Sequence, residues 1–431
     1  MMLVSFALCK RGEVSYIFQS TEMAGLLWSC AGELLALSCN TGVKVLDGRD
    51  GSCKFSYSIS NDPQKIQPGQ ELDTSTLGHG VLCCFSNSGK LFALCTPQKE
   101  LLIWQTSDWK LLNKREVVRR TTVFFFTHKE DYIVVGNKGG EVYRFFVKDA
   151  SQEKELLLGH VSMILDMVLT KDDNFLITSD RDEKIRISFF PNSYNIHSFC
   201  LGSLDFVSCL ALLALEFEDV LISGGGDGYL RIWNLGSGQQ ITFVKVDDTA
   251  RDNSEKQDKE DKIHCPAISC IACSPKYSVV CVLLERCRTL RLYHVTNEKK
   301  VTGLPSLASN VPPWSAVFDP CGRLWCVQNH PEEPVIMFEP KGAGLDLTFS
   351  KLSSDFSPVL SLASDWSFFQ GCINQERKLE TLRKKEVDNI SEYLARKEDR
   401  IEKKRGKNQQ SISGYSKDDT ESEAKRPRLE T

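Results

Sequence analysis

Leu221-Ile-Ser-Gly-Gly-Gly-Asp-Gly-Tyr-Leu-Arg-Ile-Trp233 reads as an apolar strand, a tight polar turn and a second strand closing on an aromatic. Apolar and β-branched residues flank a glycine-aspartate cluster, which is how a hairpin is written in sequence. The same frame recurs along the chain. Phe92 to Trp104 (FALCTPQKELLIW), Ile133 to Phe145 (IVVGNKGGEVYRF) and Leu176 to Ser188 (LITSDRDEKIRIS) follow it closely; Leu34 to Leu46, Cys281 to Tyr293 and Cys326 to Phe338 follow it loosely. Seven copies result, most of them spaced by about 40 to 45 residues, the period of a four-stranded propeller blade.

Two intervals run about fifteen residues longer than that period. Each holds a polar excursion, Asn61 to Thr76 in one and Asp247 to Lys262 in the other, whose low apolar content predicts surface loops. Between copies the chain supplies another apolar segment followed by a turn, such as Ala267 to Cys273 before Ser274-Pro275, and Ala316-Val317-Phe318 before Asp319-Pro320. These read as the innermost strand of each blade. Little helical periodicity precedes residue 372, so the expected fold is all-β: a seven-bladed WD-repeat β-propeller over residues 1–371, closed into a ring that removes exposed edges.

A WD repeat is braced by hydrogen bonds among a His at its start, a Ser or Thr on the second strand, an Asp in the next turn and a Trp on the third strand. The fourth copy offers His160, Thr178 and Asp182 but ends on Ser188; the fifth offers Ser223, Asp227 and Trp233 but begins with Gly202-Ser203. Gly224, Gly225, Gly226 and Gly228 suit a turn that needs positive φ. They are not followed by Lys-Ser/Thr or a predicted helix, so a phosphate cradle is not indicated.

The chain's 431 residues are 41% hydrophobic and 26% charged, enough apolar material for a core without covalent staples. A formal net charge of −4 gives no global electrostatic case for nucleic acid, so any basic function must be local. The 17 cysteines are odd in number and lie mostly in strand-like runs such as Val81-Leu82-Cys83-Cys84-Phe85, which predicts reduced core residues of an intracellular protein. The apolar stretch Met2 to Cys9 is too short for a membrane span and lacks the flanks of a secretory signal. A soluble chain that is not exported is expected.

His264, Cys265, Cys270 and Cys273 invite a zinc reading, but a strand sends alternate side chains to opposite faces and would not converge them on one ion, so no metal site is predicted. Motifs for hydrolases, metalloproteases, P-loops and dinucleotide sites are lacking, and the sequence does not read as an enzyme. More informative is the fourth copy's turn, where Arg181, Glu183, Lys184 and Arg186 carry far more charge than a repeat turn needs. Two readings stand side by side: a solvated turn with weak internal pairs, and a mixed-charge docking edge.

Past residue 372 the pattern changes. Leu379, Leu382, Val387, Ile390, Leu394 and Ile401 form a narrow apolar stripe at helical spacing, and from 376 to 407 twelve basic residues face eight acidic ones. A charged amphipathic helix over 372–407 is expected, able to pack on a partner, pack back on the propeller or touch phosphate. Residues 408–431 are polar and expected to be disordered, with Lys425, Arg426 and Arg428 resembling a short nuclear import signal.

Asp180 to Ser188 (DRDEKIRIS), preceded by Leu158-Gly-His-Val-Ser-Met-Ile-Leu-Asp166 and followed by Ser198-Phe-Cys-Leu-Gly202, resembles the WD-repeat non-catalytic subunit of the tRNA (guanine-N7)-methyltransferase. Arg119-Arg120 ahead of a strand, and Asp388-Asn389-Ile390 with Tyr393-Leu394 and Lys397-Glu398, fit the same family. The resemblance covers roughly residues 80–405 and rests on the charged turn and the tail. It implies a heterodimer in which a separate catalytic subunit binds S-adenosylmethionine and methylates a variable-loop guanosine of tRNA, with no cofactor in this chain. By motif match, Arg181, Glu183, Lys184 and Arg186 would form the inter-subunit salt bridges. Arg119, Arg120, Lys397, Arg400, Lys403, Lys404 and Arg405 would lie near the partner or the tRNA. The expected location is the nucleus, with the cytoplasm a second. A competing class is the substrate-receptor propeller of a cullin-type ubiquitin ligase, whose Trp-Asp-x-Arg is approximated only by Leu46-Asp47-Gly48-Arg49.

Overall fold

The computed structural model describes residues 25–29, 33–59, 81–216, 218–246, 265–353, 360, 363–372, 379–384, 393–394, 396–398 and 400. The two polar excursions, Met2 to Cys9 and the segment 401–431 lie outside these. Two compact units divide the chain, Met1–Arg383 and Lys384–Thr431.

The first unit is a seven-bladed propeller. Blade 1 comprises β1 to β4 (Gly25–Trp28, Leu34–Cys39, Gly42–Asp47, Cys53–Ser58) and blade 2 comprises β5 to β8 (Leu82–Phe85, Leu91–Cys95, Glu100–Gln105, Leu111–Glu116). Blade 3 holds β9 to β12 (Thr121–Phe126, Tyr132–Asn137, Glu141–Phe146, Glu155–Gly159), and blade 4 holds β13 to β16 (Ile164–Leu169, Phe175–Asp180, Ile185–Phe189, Ile196–Cys200). Blade 5 is built from β17 to β20 (Val207–Ala214, Asp219–Gly225, Tyr229–Trp233, Gln240–Lys245). Blade 6 follows with β21 to β24 (Ile268–Cys273, Val279–Leu284, Thr289–Val295, Val301–Ala308), and blade 7 with β25 to β28 (Pro313–Phe318, Leu324–Gln328, Val335–Lys341, Thr348–Leu352). Each blade is one antiparallel sheet with its strands in chain order.

Every aromatic or substitute that closes a repeat falls on its blade's third strand. In the four clear copies the first residue of the frame pairs directly with the last: Phe92 with Trp104, Ile133 with Phe145, Leu176 with Ser188 and Leu221 with Trp233. The three loose copies are shifted in register, with Leu34 opposite Asp47, Cys281 opposite Leu292 and Cys326 opposite Ile336. Their weaker likeness therefore reflects turns of different length around the same hairpin.

Inner strands are covered by neighbouring blades on both faces and read as near-continuous apolar runs, as in β25, where every residue is buried. Outer strands alternate, as in β20. Polar side chains tie blades together: Asp166 on β13 accepts from the Leu210 amide of blade 5 at 2.7 Å, and Ser208 donates to the Ile268 carbonyl of blade 6 at 2.6 Å. Among the described residues, no blade borrows a strand from the other end of the chain. Blades 1 and 7 meet through a shared cluster that includes Trp28, Trp314, Trp325, Leu360, Phe369 and Cys372, with Trp28 and Trp325 ring centroids 5.2 Å apart. The short helix Trp366–Phe369 that supports this seam has Asp365 at its N-cap, accepting from the Ser367 amide.

Past this seam the expected helix is corrected over 379–382. Gln370–Cys372 and Leu379–Leu382 are short 3-10 turns of the first unit. Leu379 and Leu382 pack with Phe206, Ala267 and Leu165 of the propeller, while Val387, Ile390 and Ile401 of the expected stripe lie outside the described residues. Described helical residues recur in the second unit at 393–394, 396–398 and 400, where Tyr393 and Leu394 are exposed.

Candidate partner-docking face

Within a four-stranded antiparallel blade, the turn from second to third strand and the loop entering the first strand lie at the same end. That end gathers Arg119 and Arg120 before β9, His160 to Met163 before β13, the Arg181 to Lys184 turn, Leu201 to Phe206 before β17, and the Glu285 to Arg288 turn. Backbone bonds join neighbours around it. Lys138 N donates to the Arg120 carbonyl (3.0 Å), His160 N to that of Gly140 (2.7 Å) and Arg181 N to that of Met163 (3.1 Å). The basic pair before β9 and the charged turn, far apart in sequence, thus share one face on adjacent blades.

Asp180 organises the turn. Its Oδ2 lies 2.8 Å from His160 Nδ1, and His160 Nε2 lies 2.8 Å from Thr178 Oγ1. Its Oδ1 accepts from the amides of Asp182 (2.9 Å) and Lys184 (3.1 Å). A His160 tautomer that donates from Nδ1 to Asp180 accepts at Nε2 from the Thr178 hydroxyl. The assignment of Asp182 to this network is therefore corrected to Asp180. The carboxylate needed is the one that ends β14 and faces back toward His160, whereas Asp182 contributes its backbone amide. Burial disfavours the Asp180 charge, but the bonds from His160, Lys184 and Asp182 outweigh it and hold the carboxyl below its ordinary range. The tryptophan position is taken by Ser188, whose buried hydroxyl has no hydrogen-bond partner among the described residues.

In blade 5 the network also differs from expectation. Trp233 Nε1 donates to Ser223 Oγ at 2.8 Å, as the repeat pattern predicts. Asp227 instead pairs with Arg231 at 2.8 Å and accepts from the Leu204 and Tyr229 amides, because this repeat has no histidine to bridge the two halves. Among the four turn glycines only Gly228 has positive φ (+73°). Gly225 is required by close approach: a Cβ there would sit 1.9 Å from the Phe206 carbonyl oxygen.

The four charged residues of the turn separate by environment. Arg181 is half-buried and donates through Nε to the Leu382 carbonyl of its own chain at 2.8 Å. Arg186 is half-buried on β15 and donates to the Gly159 carbonyl at 3.2 Å; burial lowers its pKa. Glu183 occupies the left-handed region at φ 72°. Lys184 is exposed, on a turn pinned at both ends by Asp180. The loops at the same end expose three apolar side chains: Val161, fully exposed, Leu201 at 68% and Leu204 at 76%. Sequence reading missed them, since single apolar residues in loops carry no periodic signal.

Arg119 is exposed and lies 3.8 Å from Glu141, while Arg120 is half-buried. Lys397 and Arg400 are exposed helical residues of the second unit; Lys403, Lys404, Arg405, Lys425, Arg426 and Arg428 lie outside the described residues. Cys270 belongs to the cluster between blades 6 and 7 and Cys273 packs against the one between blades 5 and 6, the opposite-face arrangement of a strand, and His264 is outside the described residues. Asp47 and Arg49 pair with each other at 3.3 Å.

Comparison with known proteins adds the family. Residues 146–313, which contain this turn, match the model of the tRNA methyltransferase TRM82 WD40 domain. The chain is 31% identical over 377 residues to the tRNA (guanine-N(7)-)-methyltransferase non-catalytic subunit wdr4 of Danio rerio, covering 85% of this chain and 89% of that protein. It is 32% identical to the same subunit of Mus musculus (81% and 85% covered) and 30% identical to that of Homo sapiens (80% and 83%). Solved structures share the fold alone. U3-55K superposes with a TM-score of 0.56 at 16% identity, covering 74% of this chain and 93% of that one, and a chain of the mitotic checkpoint complex gives 0.56 at 13%, covering 82% and 100%. This chain belongs to the family of WD-repeat non-catalytic subunits of the tRNA (guanine-N(7)-)-methyltransferase.

Proposed function

We propose that the propeller is the scaffold of a heterodimer: it binds the S-adenosylmethionine-dependent catalytic subunit and stabilises the conformation that forms N7-methylguanosine in the tRNA variable loop. The cofactor belongs to the partner. The observation that carries this reading is the presentation of Lys184. A cation on a turn immobilised by the blade's own Asp180, with exposed Val161, Leu201 and Leu204 in loops at the same end, has the form of an apolar contact with a charged registration point. Arg186 and Glu183 border it. Acting by population shift, such a scaffold raises the partner's rate without adding a chemical group.

Basic residues Arg119, Arg120, Lys397, Arg400, Lys403, Lys404 and Arg405 supply phosphate contacts to the tRNA in this reading, local charges on a chain of net charge −4. The run Lys425, Arg426, Arg428 directs the complex to the nucleus; a tagged chain lacking 425–428 that stays nuclear would exclude it. Coexpression with the catalytic subunit tests the scaffold role. Lys184→Glu should retain the propeller's melting temperature and abolish the heterodimer peak on size exclusion, with tRNA methylation lost in parallel. An unchanged peak and unchanged methylation would overturn the reading.

A further inference from the structure

Leu379–Leu382 is a single 3-10 turn, too short to hold its own shape, and with Arg383 it belongs to the compact propeller unit. Three blades hold it. Leu379 and Leu382 seat on Leu165 of blade 4, Phe206 before blade 5 and Ala267 before blade 6. From blade 6, Glu285 accepts from the Leu379 amide at 2.9 Å, and Arg286 pairs with Glu380 at 3.4 Å. The Arg383 guanidinium is mostly buried. It pairs with Asp205 and donates to the carbonyls of Gly226 (2.8 Å) and Cys265 (2.9 Å), with the Phe206 ring centroid 5.9 Å away.

The slot for that guanidinium is kept open by Gly226, where a Cβ would stand 2.7 Å from the Asp205 carboxylate and 2.6 Å from the Phe206 ring. A guanidinium presents its donors in one rigid plane and reaches a carboxylate and two carbonyls together; an ammonium on a flexible stem does not fix that geometry. Two parts of the docking face are tied to the segment held in this way. Asp205 is the neighbour of exposed Leu204, whose amide donates to Asp227 at 2.9 Å. Arg181 reaches over from blade 4: its Nε donates to the Leu382 carbonyl at 2.8 Å and its Nη2 to that of Arg383 at 3.5 Å, carbonyls that a helical turn leaves without internal partners at its end. Asp180 already holds the charged turn from within, through the Asp182 and Lys184 amides. Arg181 ties the same turn to blades 5 and 6 from outside. Attachment at two points fixes the direction in which Lys184 projects, where one point leaves a hinge. It also fits the left-handed Glu183 (φ 72°), a conformation that persists in a non-glycine residue when its surroundings over-determine it.

We infer that Leu379–Arg383 is an intramolecular brace of the docking face, with Arg383, Asp205 and Arg181 as positioning residues that set Lys184 and Leu204 for the partner. This role rests on the proposed function: the catalytic subunit then meets a surface whose blade 4 and blade 5 parts are locked to each other. Arg181 serves its own chain in place of an inter-subunit salt bridge.

The test uses the full-length chain, alone and with the catalytic subunit. In the chain alone, Arg383→Ala should speed amide hydrogen exchange at Asp182 and Lys184 by at least about tenfold while β22 keeps its protection. With the partner, Arg383→Ala and Arg181→Ala should each weaken heterodimer affinity by about tenfold, and the double variant should be no weaker than either single one, because both remove the same brace. Arg383→Lys should behave like alanine. Additive losses in the double variant would mean that Arg181 meets the partner directly, and would overturn the brace. Unchanged exchange at the turn in Arg383→Ala would overturn it too, as would full rescue by lysine. Should Arg383→Ala fail to fold, Arg181→Lys carries the test: it keeps the charge of the turn and loses the forked bonds to Leu382 and Arg383. Its exchange at Lys184 and its affinity should then follow Arg181→Ala, and parent-like values would overturn the brace. Failure of Lys184→Glu to disturb the pair would instead count against the proposed function, leaving exchange in the chain alone as the measure of the brace.

Discussion

His160 Nδ1 and Asp180 Oδ2 lie 2.8 Å apart, joining the loop that enters blade 4 to the end of its second strand. The same carboxylate also caps the turn that presents Lys184. The blade's brace and the turn that presents Lys184 are thereby coupled through one side chain, whose loss disturbs both.

Asp180→Asn leaves the shape but removes the charge and misplaces one donor, so about 2 to 3 kcal/mol of stability should be lost, in the range for hydrogen bonds to a charged group. Asp182→Asn, which preserves the backbone amide that Asp180 uses, should cost under about 1 kcal/mol. Paired denaturant titrations at one pH check this. Equal losses in the two variants would show that the blade 4 network is misassigned.

Acid should act on the same carboxylate. Asp180's folded pKa is depressed, so its contribution is present above the ordinary carboxylate value of about 3.9 and is lost as pH falls through the lower folded value. Stability of the parent should therefore decline more steeply with acidification below about pH 4 than that of Asp180→Asn. Parallel slopes in the two chains would argue that this group does not couple to folding.

Gly225 and Gly228 make opposite demands within one turn. Alanine at Gly225 would drive its Cβ to 1.9 Å from the backbone of Phe206, which cannot yield without separating β17 from β18. A loss above about 4 kcal/mol, or failure to fold, is expected, as for the few substitutions that force backbone apart. Alanine at Gly228 faces only a positive φ and neighbours beyond 3 Å, and should cost about 1 kcal/mol. Thermal melts of the two variants would separate them, and similar melting points would refute the distinction.

The propeller was legible because a four-stranded blade writes its second hairpin in a fixed frame, and Phe92–Trp104 or Leu221–Trp233 keep that frame to the residue. Legibility fell where tertiary geometry decides. Nothing local distinguishes Asp180 from Asp182 as the histidine's partner, since one ends β14 and the other follows it by two residues. Leu379 and Leu382 fitted a helical stripe by spacing, yet their side chains are claimed by Phe206 and Ala267, long-range neighbours that outweigh helical propensity. The charged turn was visible as excess charge. Its division into Arg181, which donates to the Leu382 carbonyl, and Lys184 facing outward depends on a segment about two hundred residues away in sequence.

Val161, Leu201 and Leu204 provide the sharpest check on how the face docks. Each is exposed and lies in a loop adjoining the Lys184 turn: Val161 in the loop whose Met163 carbonyl receives Arg181 N, and Leu201 just past Cys200, which pairs with Ile185. None belongs to a core cluster of the propeller, so Val161→Asp and Leu204→Asp should alter stability by no more than about 0.5 kcal/mol. If the three side chains form the apolar centre of the contact, each aspartate should weaken heterodimer affinity by at least about tenfold, the cost of burying an unpaired charge in place of an apolar anchor. Leu111→Asp, an exposed apolar residue on the outer strand of blade 2, supplies the control and should leave affinity unchanged. Affinity measured by titration calorimetry that falls for Lys184→Glu but not for Val161→Asp or Leu204→Asp would confine the contact to the charged turn itself.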